Sequence, residues 1–137
     1  MKVLHINTWA TAGGAGRAAY RLHEGLLNEG LRSRIVSRET LPGRDDLRSW
    51  VKPSPLWDRI NRIDRLIQIY LGLEALVGLA SWAGYRRQAR WPDVINLHNL
   101  HGYYFSVALL PRLQRAAPLV WTLHDMWPLT GHCGYPG

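Results

Sequence analysis

Residues 2–37 read KVLHINTWATAGGAGRAAYRLHEGLLNEGLRSRIVS, and this stretch decides the fold. Lys2 to Ile6 is a compact apolar run, typical of a buried parallel strand. The small and glycine-rich residues from Asn7 to Gly16 predict a loop, and a helical pattern follows until Gly30 ends it. Arg34 to Ser37 is predicted as a second short strand. Such a β-α-β unit predicts a parallel sheet with a right-handed crossover.

The rest of the chain continues the alternation of strands and helices. Residues 38–55 are polar and contain prolines, which predicts an irregular loop. Third and fourth strands are expected at Asp93 to Leu97 and at Leu119 to Leu123, without a helix after the fourth. Between them, residues 105–116 are predicted to be helical, and Pro111 should kink that helix or mark its start. The fold class is therefore α/β, with a Rossmann-like parallel sheet flanked by helices.

Size and charge limit the function without choosing it. The chain has 137 residues, which suits one domain, and a formal net charge of +7. A basic chain favours partners that carry phosphate or carboxylate, such as nucleotides, nucleic acid or anionic lipid. No recognised nucleic-acid motif accompanies the charge, so nucleic acid is not an expected partner. The single cysteine, Cys133, excludes an internal disulfide, and no secretory signal is visible.

The glycine loop lies between the first strand and the first helix. Gly13, Gly14 and Gly16 let the backbone approach a ligand, and Arg17 opens the helix that follows. A helix N-terminus offers free N–H groups to an anion, so the loop predicts phosphate binding. Two alternatives stay open. The spacing also fits a dinucleotide fingerprint with Glu39 on the ribose, and the loop could be a flexible turn without a ligand.

Histidines follow the third and fourth predicted strands. His98, Asn99 and His101 come after the third strand, and His124 with Asp125 come after the fourth. Ligands bind at the carboxyl ends of the strands in an open parallel sheet, so these side chains and the glycine loop should converge. A histidine there can hold a hydroxyl or phosphoryl oxygen, and a neighbouring carboxylate can either fix its tautomer or accept hydrogen bonds from sugar hydroxyl groups.

Two other interpretations of the histidines stay open. A zinc site would use side chains that are common zinc ligands, but their spacing matches no standard pattern. Those side chains are His98, His101, His124, His132 and Cys133. Purely structural roles are the other alternative, and they are the prediction for His5 in a strand and for His23 on a helix.

Several motifs together resemble the amino-terminal domain of glycosyltransferase family 4 enzymes, in the branch of colanic-acid-type polysaccharide transferases. They are Asn7-Thr8, residues 13–22 (GGAGRAAYRL), residues 93–98 (DVINLH), residues 120–128 (VWTLHDMWP) and residues 130–133 (TGHC). The run from Trp121 to Pro128 is the specific part of the resemblance, whereas the glycine loop is generic.

The resemblance implies a GT-B fold, in which two Rossmann-like domains enclose a cleft. It implies a retaining transferase of the hexosyltransferase type that moves a sugar from a nucleotide-sugar donor to a glycan or lipid-linked acceptor in polysaccharide biosynthesis. No metal and no cofactor are expected, since the nucleotide sugar is a substrate. His124 and Asp125 are the implied catalytic residues. Gly13, Gly14, Gly16, Arg17, His98 and Asn99 are the implied ligands of the donor phosphate or the acceptor.

The resemblance also implies a domain that this sequence does not contain. Residues 1–137 are expected to be an incomplete amino-terminal, acceptor-side domain, with the donor-binding domain absent and the chain alone inactive. Cys133 is expected to begin a small cysteine cluster. The alternative function is a non-catalytic membrane-docking or binding module, or an inactive fragment.

The middle of the chain, residues 56–90, combines apolar and basic residues. Its first part predicts an amphipathic helix with one apolar face, made of Leu56, Ile60, Ile63, Ile67 and Tyr70. Arg59, Arg62 and Arg65 lie largely on the other face. This pattern predicts contact with an anionic membrane surface. A single cysteine and no visible secretory signal predict a cytoplasmic protein, and the amphipathic segment would place it at the inner face of the plasma membrane. A buried helix pair, or a surface that meets another domain, would give the same pattern.

Overall fold

In the computed structural model, a five-stranded sheet has the strand order β3-β2-β1-β4-β5, and all neighbouring strands are parallel. The structure describes residues 1–39, 43–51, 54–72, 78–131 and 134–135. The strands are β1 (Lys2–Ile6), β2 (Arg32–Ser37), β3 (Leu47–Ser49), β4 (Val94–Leu97) and β5 (Leu119–Trp121). The helices are α1 (Gly13–Asn28), α2 (Pro55–Leu71), α3 (Leu79–Gln88), α4 (Leu110–Ala116) and α5 (Trp127–Thr130). This arrangement confirms the predicted α/β, Rossmann-like fold.

Helix α1 closes the β-α-β unit as predicted, but it begins at Gly13, inside the predicted loop. Its buried residues are Gly16, Ala19 and His23, whereas Leu22 is 43% exposed. The helix ends at a left-handed Gly30, whose N–H donates to the Leu27 carbonyl. Glycine suits this position because other residues rarely adopt a positive φ.

Two predictions for the loops are wrong. The segment 38–55, predicted as irregular, contains β3, which pairs with β2 through Ile35 and Leu47. Three residues are too few to show an alternating pattern, so pairing with β2 decides this strand. A helix also follows the last strand, since α5 begins at Trp127, with Pro128 in its first turn. Pro111 does mark the start of α4, after a short 3₁₀ turn at Val107–Leu109.

The central strands are buried on both faces of the sheet. Leu4 is opposite Ile95 and Ile6 is opposite Leu97 in the register, and these four side chains share the larger core with Trp50 and Phe105. Side chains alternate along a strand, so His5 points to the other face. There it lies near His23 of α1, with the ring centroids 6.3 Å apart. The α1 face therefore carries a polar layer beside its smaller apolar core.

Candidate functional site

The carboxyl ends of β1 and β4 lie side by side at the point where the strand order reverses. The chain leaves β1 toward β2 on one side and reaches β4 on the other, which makes this a topological switch point. Ligands of doubly wound sheets bind in the crevice outside such a point. The loops that follow β1, β4 and β5 all reach this edge.

Asn7 and Thr8 join the first two of these loops. The backbone N–H of Asn99 donates to Asn7 Oδ1 over 3.1 Å. Thr8 Oγ1 lies 3.1 Å from the Asn99 carbonyl and 2.8 Å from the His101 carbonyl, so its hydroxyl can donate to either. The glycine loop, whose first residues are Asn7 and Thr8, is thus held against the loop after β4.

Three histidines form a continuous chain of hydrogen bonds at this edge. Nδ1 of His5 lies 3.2 Å from Nε2 of His98, and Nδ1 of His98 lies 2.9 Å from Nε2 of His124. The rings of His98 and His124 are stacked, with centroids 5.2 Å apart and an interplanar angle of 20°. His5 is fully buried, His98 is 2% exposed and His124 is half-buried. The chain therefore runs from the interior of the sheet to its surface.

Both inner histidines are held neutral. Burial, with smaller contributions from His98 and His23, lowers the pKa of His5 to about 3. Burial and the neighbouring His124 lower the pKa of His98 to about 4. A neutral imidazole has one N–H donor and one acceptor nitrogen, so each ring of the chain can donate once and accept once. His98 uses both nitrogens in this way, and it is placed to orient His124.

Asp125 has different partners from those predicted. Its Oδ1 accepts a hydrogen bond of 3.0 Å from the N–H of Trp127, the first residue of α5, and its Oδ2 lies 3.2 Å from Nε2 of His101. In the described part of the chain, the partner of the His124 ring is His98 and not the adjacent carboxylate. The expectation that Asp125 fixes the tautomer of His124 is therefore corrected. Asp125 instead ties the loop after β5 to the loop after β4.

The glycines of the first loop have separate roles. Gly13 is exposed with a φ of +69°, and Gly14 is also exposed, with open space around both Cα atoms. A Cβ on Gly16 would lie 3.1 Å from the backbone of both Trp9 and Thr11, so this glycine permits close packing of the turn. No side chain caps the first turn of α1, and none of its residues is acidic. Its N–H groups and the exposed Arg17 suit an anion.

The structure thus brings together His98, His101, His124 and Asp125, and it joins the glycine loop to them through Asn7 and Thr8. The ligand contacts predicted for Gly13, Gly14, Gly16, Arg17, His98 and Asn99 stay predictions. Sequence reasoning assigned His5 a purely structural role and did not connect it with His98. The available signal was its place in β1, beside the strand that leads to His98.

One group in the described residues has the geometry for a metal ion, namely His23, Glu24 and Asp46. Arg44 already occupies both carboxylates, since its Nη2 lies 2.8 Å from Glu24 and 2.5 Å from Asp46. His23 in turn lies 2.7 Å from Ser33 Oγ and 2.9 Å from Asp46. This network ties α1 to β2 and to the start of β3, which suits a structural role. The alternative zinc site includes His132 and Cys133, which lie outside the described residues.

None of the helices in the described part of the chain has the length and apolarity that a membrane span requires.

Comparisons with known proteins agree with the fold and the motifs. The profile of the Glycosyl transferase 4-like domain matches residues 13–136. The chain is 29% identical over 146 residues to WcaC of Escherichia coli (strain K12), which is named as a colanic acid biosynthesis glycosyl transferase. That match covers 98% of this chain but 36% of the relative. No solved structure is significantly similar to the chain. Because the domain profile spans nearly all of it, the chain belongs to the glycosyl transferase 4-like family.

Proposed function

We propose that these residues form the acceptor-side part of a retaining glycosyltransferase. The enzyme would move a hexose from a nucleotide-sugar donor to a glycan or lipid-linked acceptor in polysaccharide biosynthesis. The observation that carries this proposal is the histidine chain at the switch point, because it holds one half-buried imidazole at the edge where such folds bind ligands. The family and the name of the similar protein support the same reaction class.

The direction of the hydrogen bonds follows from the inner end of the chain. His5 Nε2 is buried and has no partner in the described part of the chain. An unpaired acceptor there is more tolerable than an unpaired N–H donor, since orphaned buried N–H groups are rare. His5 therefore donates from Nδ1 to His98, and His98 donates from Nδ1 to His124.

This direction leaves His124 with its own proton on Nδ1. No described residue accepts from that N–H, so it is available to an oxygen atom of a bound ligand. In the proposed mechanism His124 donates this hydrogen bond to the donor sugar or to the leaving phosphate, where charge develops during transfer. His98 acts through His124 as a positioning residue, and Asp125 positions His101 and α5.

The glycine loop supplies the second part of the proposed site. The free N–H groups at the start of α1 and the guanidinium of Arg17 would hold the donor diphosphate. The backbone of Asn99 is already bonded to Asn7, Thr8 and Tyr104, so its half-buried side-chain amide would be the group that meets a ligand. No metal ion is needed in this scheme, because the positive charge comes from the helix end and from arginine.

The nucleotide would be held by sequence beyond these residues. The chain spans about a third of the length of the relative that it matches, which supports a second α/β domain in the whole enzyme. These 137 residues alone would then bind ligand without turnover. Sequencing the coding region past Gly137 tests this part, since the proposal requires roughly another two hundred residues in frame that form a second α/β domain.

Substitution of His124 tests the catalytic part. The protein encoded by the full reading frame is given a panel of nucleotide sugars and a lipid-linked glycan, and nucleoside diphosphate release is measured. His124→Ala should lower turnover at least about 100-fold, as loss of a donor to a developing charge does. Arg21→Gln is the control, because Arg21 is exposed and lies one helical turn after Arg17 in α1. It should leave turnover unchanged. Near-normal turnover by the His124 variant would sink the role proposed for it.

A second candidate function is docking to an anionic membrane, which one observation favours. The predicted apolar face of α2 is open to solvent except at the half-buried Ile60: Leu56 is 65% exposed, Ile63 59% and Tyr70 83%. Arg86, Arg87 and Arg90 are also exposed and basic. Such a face suits a protein at the inner surface of the plasma membrane.

Vesicle sedimentation tests the docking. Binding to vesicles with anionic lipid should be measurable at low salt and should weaken as salt rises. Ile63→Ser together with Tyr70→Ser should abolish it, whereas Leu22→Ser, an exposed apolar change on α1, should not. Absence of binding at low salt would leave α2 as a surface for another domain.

A further inference from the structure

A cleft lies beside the histidine edge, between α2 and the carboxyl ends of β2 and β3. Its volume is about 430 Å³, which is in the range of small-molecule sites. Helix α2 supplies one wall through Trp57, Asn61 and the arginines described next. The loop after β4 supplies another wall through Tyr103 and Tyr104. Neither the sequence motifs nor the predicted site residues include this cleft.

The cleft is lined by three arginines, Arg38, Arg62 and Arg65, and one carboxylate, Asp58. Three positive charges and one negative charge give the cleft a net charge of about +2. None of these arginines takes part in an ion pair in the described part of the chain, where the ion-paired arginine is Arg44. All three are exposed and therefore free to meet a ligand. Unpaired guanidinium groups that converge on a cavity suit a phosphate or a carboxylate, which they can bind in a bidentate manner.

Aromatic side chains lie beside two of these arginines. The guanidinium of Arg65 lies 5.7 Å from the ring centroid of Tyr103, and Arg38 lies 5.7 Å from that of Trp9. Both Trp57 and Tyr103 are half-buried, so each keeps part of its surface in the cleft. Aromatic side chains with one apolar face and a polar tip are well suited to the mixed surface of a sugar ring.

Tyr103 is held in an unfavourable backbone conformation. Its φ is +62°, which non-glycine residues adopt only rarely, and Gly102 before it has a φ of +103°. The next residue, Tyr104, fixes the loop: its hydroxyl donates to the Asn99 carbonyl over 3.0 Å, and its carbonyl accepts from Ser81 Oγ over 3.0 Å. Strain of this kind persists where the surroundings impose it, often at ligand sites. Here it places the Tyr103 side chain in the cleft wall.

The same loop connects the cleft with the histidine edge. Asn99 and His101 precede Tyr103 by a few residues, and His101 pairs with Asp125 of the loop after β5. We propose that the cleft binds an anionic saccharide, with its phosphate or carboxylate on Arg38, Arg62 and Arg65 and its ring against Trp57 and Tyr103. This inference rests on the proposed function, in which the ligand is the acceptor.

Calorimetric titration of this chain with three sugars at low salt tests the proposal. Glucose 6-phosphate represents a phosphate-bearing acceptor, glucuronate represents a carboxylate-bearing one, and glucose is neutral. At least one of the charged sugars should bind. Glucose should bind at least about tenfold more weakly than that sugar, because it lacks the charge-assisted contact. The stronger of the two charged ligands identifies the source of the anion. Failure of both to bind, or equal binding of glucose, would overturn the proposal.

Variants of α2 separate a built site from general basicity. Arg62→Gln and Arg65→Gln should each weaken binding of the charged sugar about tenfold, and Arg62→Lys should weaken it less. Arg59→Gln is the matched control, because Arg59 is on the same helix and does not line the cleft. An equal loss in the Arg59 variant would overturn the proposal. Arg38→Gln replaces any α2 variant whose circular dichroism spectrum shows that it is unfolded.

This titration is independent of glycosyl transfer. If His124→Ala left turnover intact while the charged sugar still required Arg62 and Arg65, the cleft would stand and the proposed catalytic role would fall. If turnover depended on His124 and no charged sugar bound, the transferase would stand and this cleft assignment would fall.

Discussion

At the carboxyl edge of the sheet, buried polar side chains face one another, whereas helix α2 turns its apolar side chains toward solvent. His98 is 2% exposed and has both ring nitrogens engaged by other histidines. On α2, by contrast, Asp64 and Gln68 are the buried residues, while Ile63 and Tyr70 are more than half exposed. The polarity of α2 is thus inverted relative to an ordinary surface helix, which buries its apolar stripe.

The sheet edge has polar groups that are fixed by hydrogen bonds, whereas the apolar face of α2 is exposed in this chain. The histidine edge has its groups fixed by hydrogen bonds before any ligand arrives, as electrostatic stabilisation requires. The exposed apolar side chains of α2 contribute little to the stability of this fold. Contact with a membrane or another domain would bury them. Substitutions should therefore affect stability strongly near the sheet edge and weakly on the exposed face of α2.

The largest expected effect is a loss of stability in mild acid. Burial lowers the pKa of His5 to about 3 and that of His98 to about 4, so both stay neutral in the folded chain. Unfolded histidines take up protons below about pH 6.5, and the unfolded state is favoured there. The free energy of unfolding should therefore have its full value above this pH. It should fall by up to roughly 1.4 kcal/mol per pH unit for each histidine as the pH drops from 6.5 toward 4.

Urea unfolding of this chain between pH 7.5 and 5 measures the loss. His5→Gln removes one of the two titrating groups, so its stability should depend about half as steeply on pH. A free energy of unfolding that is constant across this range would show that the two histidines are not buried as neutral groups.

A second, smaller effect is expected where α3 packs against the cleft. A Cβ on Gly84 would lie 2.1 Å from the indole Nε1 of Trp50, which is 1% exposed and donates to the Ser81 carbonyl. Gly84→Ala should therefore cost about 1–3 kcal/mol through overpacking.

Gly25→Ala is the matched control in thermal unfolding. Gly25 is exposed within α1 and has nothing within 4 Å of an added Cβ, so alanine should leave stability unchanged or raise it by up to about 1 kcal/mol. Equal effects at the two glycines would contradict the packing of α3 against Trp50.

The smallest effect is expected on the exposed face of α2. Ile63 is 59% exposed, so Ile63→Ser should change the free energy of unfolding by less than about 0.5 kcal/mol. Ile60, which lies on the same predicted apolar face, is half-buried, and Ile60→Ser should cost more, about 1–2 kcal/mol. A costly Ile63 variant together with a neutral Ile60 variant would mean that α2 is rotated about its axis.

The periodic parts of the fold could be predicted from the sequence. The first β-α-β unit, β4 and the start of α4 at Pro111 follow from apolar runs and from residues that restrict the backbone. Strand β3 could not be predicted, because Leu47, Arg48 and Ser49 have no pattern of their own and form a strand by pairing with β2. Helix α5 was missed because it is a single turn of four residues, too short to show a helical pattern, in a segment that contains Pro128.

The site could be predicted in outline only. Topology brings the loops after β4 and β5 together, so the proximity of His98, His101, His124 and Asp125 follows from strand order. Which side chain pairs with which does not follow, since His124 bonds to His98 while its neighbour Asp125 turns to His101. The arginine-lined cleft was missed because the apolar face of α2 was expected to be the face that contacts a membrane or another part of the protein. Its buried side is in fact marked by Asp64 and Gln68.

Direct observation of the imidazole tautomers tests the account at its centre, which is the directed histidine chain. Long-range ¹H–¹⁵N correlation spectra of the ¹⁵N-labelled chain at pH 7.5 report which ring nitrogen of each histidine carries the proton. We expect protons on Nδ1 of His5, His98 and His124. The rings are assigned through the loss of one ring at a time in His5→Gln and His124→Ala. Protons on Nε2 of His98 and His124 would contradict the directed chain, because it would then run inward and His124 would present no N–H to a ligand.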